Sequence, residues 1–173
     1  MKENVMRTIK IEKVVLNCGG VGDKLDKSMK LLKALTGKDA VKVKSTKRIP
    51  AFGVRPGLEV GCKITLTGET AINLLKRLLE AEDMTFSKKQ FIEGSFSFGI
   101  PEYIEIPGAV FQREIGILGL DVSIKLRRAG FSIDEKKIKT GRIPQRHRIT
   151  KEETIEFMKK NFNIKLTEEK EKR

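Results

Sequence analysis

The chain has no tryptophan, one tyrosine, one histidine and two cysteines among 173 residues. Each scarcity removes a class of function. Cys18 and Cys62 lie inside strand-like segments, and two cysteines without further ligands cannot form a metal site, so they read as reduced, buried thiols. The single histidine, His147, sits in the basic run Arg146-His147-Arg148 rather than beside a buried acid. A Ser-His-Asp or Cys-His arrangement therefore has no base to build on, and no other nucleophile has one either. No apolar run reaches the roughly 18 residues of a membrane span, and neither a signal peptide nor a basic amphipathic helix with opposed aromatics is expected. Acid is also scarce. Lys and Arg number 36 against 23 Asp and Glu, a formal net charge of +13 and a pI near 9.8.

A surplus of that size is costly in self-repulsion and calls for a negative partner, and with the membrane removed nucleic acid is the expected one. The length suits one domain that buries about 70% of its unfolded surface. The most informative stretch is residues 41–66, VKVKSTKRIPAFGVRPGLEVGCKITL. Val41 and Val43 alternate with Lys42 and Lys44, and Ile64 and Leu66 alternate with Lys63 and Thr65. Period-two alternation marks half-buried strands, with one face on a core and the lysines and threonine facing outward. The joining loop is punctuated by Pro50, Gly53, Pro56, Gly57 and Gly61, and it displays Lys47, Phe52 and Arg55. A cationic sheet face rimmed by a flat ring and a guanidinium suits a polyanion with unstacked bases.

The remaining pattern alternates helix and strand. Residues 8–17 read as a strand, and a helix capped by Asp23 or Asp26 follows, with Leu25, Met29, Leu32 and Leu35 on one face and its end at Gly37. A second helix over 70–82 buries Ala71, Leu74, Leu75, Leu78 and Leu79. Short strands are expected at 96–100 and 120–126, with Phe96 and Phe98 turned to the core. Thr150 and Glu153 form a capping box for a last helix whose stripe is Ile155, Met158 and Phe162. These elements make one domain, 1–166, with a basic arm at 127–149 and a charged, disordered tail at 167–173. Within the arm, residues 136–148 (KKIKTGRIPQRHR) contain no acid. They read as a phosphate-contacting segment ordered by RNA, with Arg142, Arg146, His147 and Arg148 as its contacts.

Asn17 to Gly22 (NCGGVG) follows a strand and opens a helix, as a dinucleotide-binding turn does. The third glycine position is Leu25, and no acid ends a second strand, so a tight turn or an RNA phosphate site is the better reading. Neither a cofactor nor a catalysed reaction is expected.

Several motifs occur together in a fixed order: Ile9 through Gly22, IPAFGVRPG at 49–57, GCKITL at 61–66, GSFSFGI at 94–100 and IGILGLD at 115–121. From about Arg7 to Leu166 the chain resembles the family of the fifth protein of the large ribosomal subunit. The arm motif IPQRHRIT at 143–150 resembles its archaeal and eukaryotic branch, the archaeal members in particular. The resemblance implies a single α+β domain, an antiparallel sheet with helices on one face and the other free for RNA. It implies a cytoplasmic, ribosomal, non-enzymatic protein that binds 5S rRNA, anchors it in the central protuberance beside large-subunit rRNA and neighbouring proteins, and contacts the peptidyl-site tRNA and a small-subunit head protein. Carried over, its RNA contacts fall on Asn17, Phe52 and Thr65, joined here by Lys42, Lys44, Lys47 and Lys63. A further contact, Gln in bacterial members, is Lys38 here, which can hold a phosphate but cannot make an amide's paired bonds. Ser95 stands where the family often has Asn. Arg55, Pro56 and Gly57 match the loop that reaches toward tRNA, with Arg55 at its tip. A free-standing RNA chaperone would share the charge, and a nucleotide-dependent enzyme would use the Gly19 to Gly22 turn; neither accounts for the ordered motifs.

Overall fold

A computed structural model describes residues 4–167. Its centre is strand β1, Ile9–Gly19, followed by helix α1, Asp23–Thr36, and strands β2, Val41–Lys44, and β3, Glu59–Leu66. Helix α2, Glu69–Glu80, leads to three short strands, β4 Thr85–Ser87, β5 Phe91–Ile92 and β6 Ser95–Ile100. Strand β7, Leu120–Arg128, a short helix α3, Ser132–Glu135, helix α4, Lys151–Phe162, and strand β8, Lys165–Thr167, complete the chain. Six strands form one antiparallel sheet in the order β2-β3-β1-β7-β6-β5, while β4 and β8 make a separate parallel pair. The fold is the expected α+β class.

Alternation decides which side of the sheet the helices cover. Val14, Leu16 and Cys18 of β1, Cys62, Ile64 and Leu66 of β3, and Val122, Ile124 and Leu126 of β7 are all buried. They pack on Leu25, Leu31 and Leu32 of α1 and on Ala71, Leu74, Leu75, Leu78 and Leu79 of α2, each of the last five being an expected core residue. Phe96 and Phe98 join the same face. Phe96 stacks on Phe91 at 4.3 Å between centroids and meets Phe86 edge-on at 5.1 Å.

The caps divide between expected and unexpected. Thr150 and Glu153 form the expected capping box of α4, while the buried stripe runs through Thr154, Met158 and Phe162 with Ile155 half-buried. Neither Asp23 nor Asp26 caps α1. The cap is Gly22, at φ 63°, and both aspartates lie inside the first helical turn, where they complement the helix dipole. Thr167 pairs with Ser87 in β8, so ordered chain runs one residue past the expected boundary at 166; the rest of the expected tail lies outside the described residues.

The arm differs most from expectation. Its distal end is packed: Ile143 and Ile149 are buried, and the Arg128 side chain, 8% exposed, meets Glu153 Oε1 at 2.7 Å. The same guanidinium donates to the carbonyls of Arg7, His147 and Arg148. Burying one cation that makes four hydrogen bonds thus ties the arm to β7, α4 and the N-terminal turn.

Candidate nucleic-acid interface

The face of the sheet opposite the helices is uncovered. It carries Val15 and Asn17 from β1, Lys63 and Thr65 from β3, Asp121, Ser123, Lys125 and Arg127 from β7, and Ser97 and Gly99 from β6. Asn17, Lys63, Thr65, Ser97, Asp121 and Ser123 are exposed, and all of them but Thr65 line an open depression of about 630 Å³. Asn17 is opposite Lys63 on one side and Asp121 on the other, and Val15 is opposite Thr65 and Ser123. Directly opposed residues project to the same side, so Asn17, Lys63 and Thr65, three of the five sheet residues expected to meet RNA, share one surface.

Lys42 and Lys44 do not join them. Val41 pairs with Lys63 and Val43 with Gly61, which turns the two valines, not the two lysines, toward the uncovered face. A bulge between Val43 and Lys44 then places both lysines beside Glu59 and the first turn of α1, with Asp23 and Asp26. Lys42 Nζ lies 2.8 Å from Glu59 Oε2, and this bond and charge raise the lysine's pKa and lower the carboxylate's. Val41, expected to face the core, is 63% exposed because β2 is the edge strand. The assumption that apolar residues always point inward fails here: the helix side of this edge is lined by acids that draw in the lysines.

The loop between β2 and β3 is stapled by its own backbone. Ile49 and Val54 exchange both amide–carbonyl bonds, at 2.9 and 3.1 Å, and Gly53, at φ 65°, closes the turn onto Pro50. Val54 is buried beneath it, and Phe52 is left at the tip with 78% of its surface exposed. A second turn follows at Arg55, Pro56 and Gly57, where Gly57 donates to the Ser45 carbonyl and Leu58 to that of Arg55. All three residues of that turn are exposed. Arg55 therefore stands on the returning limb, and Phe52, not Arg55, occupies the tip. Lys47 and Lys38 are exposed, Lys38 just beyond the left-handed Gly37 that ends α1.

The arm brings its own charges to the far end of the face. Arg142, Arg146 and Arg148 are exposed, but His147 is half-buried and its Nε2 donates to the Ala129 carbonyl at 2.8 Å. That ring braces the arm and has one nitrogen left for another partner. Helix α3 folds back over β7. Lys125 Nζ meets Glu135 Oε1 at 2.7 Å and Glu12 Oε2 at 3.4 Å, and it lies 5.4 Å from the Phe131 ring. Glu12 reaches this position through a bulge between Ile11 and Lys13. Bonding to Lys125 lowers the Glu135 pKa.

Asp121, Ser97, Ser123, Lys125 and Arg127 were missed from the sequence as face residues. The signal was present. In LDVSIKLRR the charged and hydroxyl residues occupy alternate positions from Asp121 to Arg127, the same period that marked Lys63 and Thr65.

Among the described residues no group of His, Cys, Asp and Glu could hold a metal ion, and no helix is long and apolar enough to cross a membrane. The turn before α1 sets the Asp23 and Asp26 carboxylates against any phosphate at its amides. The thiols are poor nucleophiles. Burial first, then the Cys62 and Asp121 charges, pushes Cys18 up to about 12, and burial raises Cys62 as well.

The family model described as "Ribosomal protein L5" matches residues 4–55, and the model of the same family's C-terminus matches residues 59–157. The chain belongs to the ribosomal protein L5 family. It is 42% identical over 167 residues to the large ribosomal subunit protein uL5 of Nanoarchaeum equitans, covering 95% of this chain and 99% of that one. Against the protein of the same description from Sulfolobus acidocaldarius identity is 44% over 170 residues, with 96% of each chain covered. Against that from Methanosphaera stadtmanae it is 38% over 166 residues, covering 94% and 99%. The chain is thus an archaeal-type, RNA-binding structural constituent of the large ribosomal subunit in translation, and its family is not enzymatic.

Proposed function

We propose that this protein holds 5S rRNA on the uncovered face of its sheet and anchors it in the central protuberance of cytoplasmic ribosomes. The observation that carries the proposal is one surface holding Asn17, Lys63 and Thr65, with an exposed Phe52 at the end of a stapled loop. Lys63, Lys47, Lys38 and the arm's Arg142, Arg146 and Arg148 neutralise phosphates, Thr65 and Asn17 hydrogen-bond riboses or base edges, and Phe52 stacks on an unpaired base. His147 holds the arm in position. Lys42 and Lys44 act at the edge, where an RNA backbone would first have to compete with Glu59 for Lys42.

The second turn of the loop, Arg55 to Gly57, is assigned to the peptidyl-site tRNA. It is exposed and braced by the Ser45 carbonyl, so a contact there needs little ordering. Large-subunit rRNA, neighbouring large-subunit proteins and a small-subunit head protein complete the partners.

The test is a titration of the protein against 5S rRNA and a length-matched unrelated RNA across several salt concentrations. A preference for 5S rRNA that persists near physiological salt is expected. Equal binding that collapses with salt would leave only charge and overturn the assignment.

A further inference from the structure

Three side chains stand in one row across the middle of the uncovered face. Lys63 of β3 is opposite Asn17 of β1, Asn17 is opposite Asp121 of β7, and Asp121 is opposite Gly99 of β6. Opposed residues in antiparallel strands have Cβ atoms about 4.5–5.5 Å apart on one side of the sheet. An ammonium, an amide and a carboxylate therefore follow one another, and the row ends on open backbone. A Cβ at Gly99 would stand 3.4 Å from Asp121 Oδ1, which places the carboxylate beside the open backbone of β6. All three side chains are exposed and line the depression described above. Among the described residues none of the three side chains makes a hydrogen bond or ion pair.

Asp121 is the member that backbone binding does not explain. A carboxylate amid Lys63, Lys125 and Arg127 repels phosphates and weakens the attraction those cations supply. It becomes favourable when the ligand offers N–H donors, and an unpaired base does so. Guanine alone presents two adjacent donors, N1–H and N2–H, beside an acceptor, O6, on its Watson–Crick edge. That sequence complements two carboxylate oxygens beside an amide or ammonium donor. We infer that Asp121, Asn17 and Lys63 form a recognition pocket for one unpaired guanine. Asp121 accepts from N1–H and N2–H, the neighbouring Asn17 donates to O6, and Lys63 beyond it is left for the adjoining phosphate. The inference rests on the RNA-binding reading above and adds the identity of the base and the residue that selects it.

The test is Asp121→Asn, which keeps the shape and removes the charge. Full-length wild type and variant are titrated against 5S rRNA and a length-matched unrelated RNA. Each complex is also probed with kethoxal, which attacks N1 and N2 of unpaired guanines. The variant is expected to bind 5S rRNA about tenfold more weakly, as loss of a bidentate base contact requires. It should bind the unrelated RNA equally or more tightly, because a repelling charge is gone. One guanine shielded by wild type should become reactive in the variant complex. Equal tightening on both RNAs, or guanine protection that is unchanged in the variant, would overturn the pocket. A wild-type preference for 5S rRNA that survives intact in the variant removes the pocket alone, whereas a wild type without preference removes the RNA reading and the pocket together.

Discussion

Replacing Arg128 by methionine should release the clasp that fixes the basic arm. The side chain is 8% exposed and donates to the Arg7 carbonyl at 3.1 Å, to those of His147 and Arg148 at 3.3 Å each, and to Glu153 Oε1 at 2.7 Å. Methionine fills the volume and leaves all four acceptors without that donor. Stranding one partner of a buried ion pair costs about 3–5 kcal/mol, and a charge-assisted hydrogen bond alone about 1.5–3. The Glu153 side chain is 37% exposed, so water partly rehydrates it, and the loss falls near the lower figure, about 3 kcal/mol. With a urea dependence of about 2 kcal/mol per molar, the unfolding midpoint should drop by about 1.5 M. Glu153→Gln tests the charge separately. Burial pushes the Glu153 pKa up, but the Thr150 amide and Arg128 outweigh it and hold the group below the usual carboxylate range. A depressed folded-state pKa stabilises above the unfolded value, and the gain is lost as pH falls through the folded one. The deficit of Glu153→Gln should therefore be full at neutral pH and shrink to nothing in acid, starting near about pH 4. An Arg128→Met midpoint within about 0.3 M of wild type, or a glutamine deficit that persists in acid, would refute the reasoning.

Four further outcomes separate the roles assigned to the interface. Phe52→Ala should weaken 5S rRNA binding by about 1–3 kcal/mol at every salt concentration, because stacking releases no counterions. Lys63→Ala should instead lower the log–log salt slope by about 0.7–0.9, and a matching slope change in Phe52→Ala would disprove the stacking. Lys42→Ala should change that slope less than Lys63→Ala, since Lys42 is paired with Glu59 and faces the helix side; an equal change would mean that RNA reaches the edge of β2. Arg55→Ala should leave 5S rRNA affinity unchanged while shortening peptidyl-site tRNA retention on assembled ribosomes, and a loss of 5S rRNA binding would place that turn on the wrong partner.

Periodicity carried the helices and most strands because each is a local rule. The five buried residues of α2 and the inward Phe96 and Phe98 follow from spacing alone. Thr65 falls on the polar side of its strand by the same rule, whereas Asn17 was pointed to by the family resemblance and not by spacing. Misassignments arose where long-range placement decided the answer. Whether Lys42 faces RNA depends on β2 being the edge strand, on a bulge and on the acids of α1, none of which alternation reveals. The packed arm depends on Arg128 meeting Glu153 and the arm's own carbonyls, and in sequence Arg128 is one more residue of a basic run. Asp121 is an acid on a face whose sequence signature is cationic, so net charge does not point to it.

The place of β1 between β3 and β7 has a consequence for synthesis. Residues 9–19 cannot complete the surface with their early neighbours alone, since half of it arrives with residues 95–100 and 120–128. Closing that loop of more than a hundred residues is the slow, non-local step of such a fold. A nascent chain that has exposed its charged β3 and loop therefore offers attraction without selectivity. On the role inferred for Asp121, selection of an RNA base waits until β7 docks, so the competence to choose a partner follows the long-range closure of the sheet.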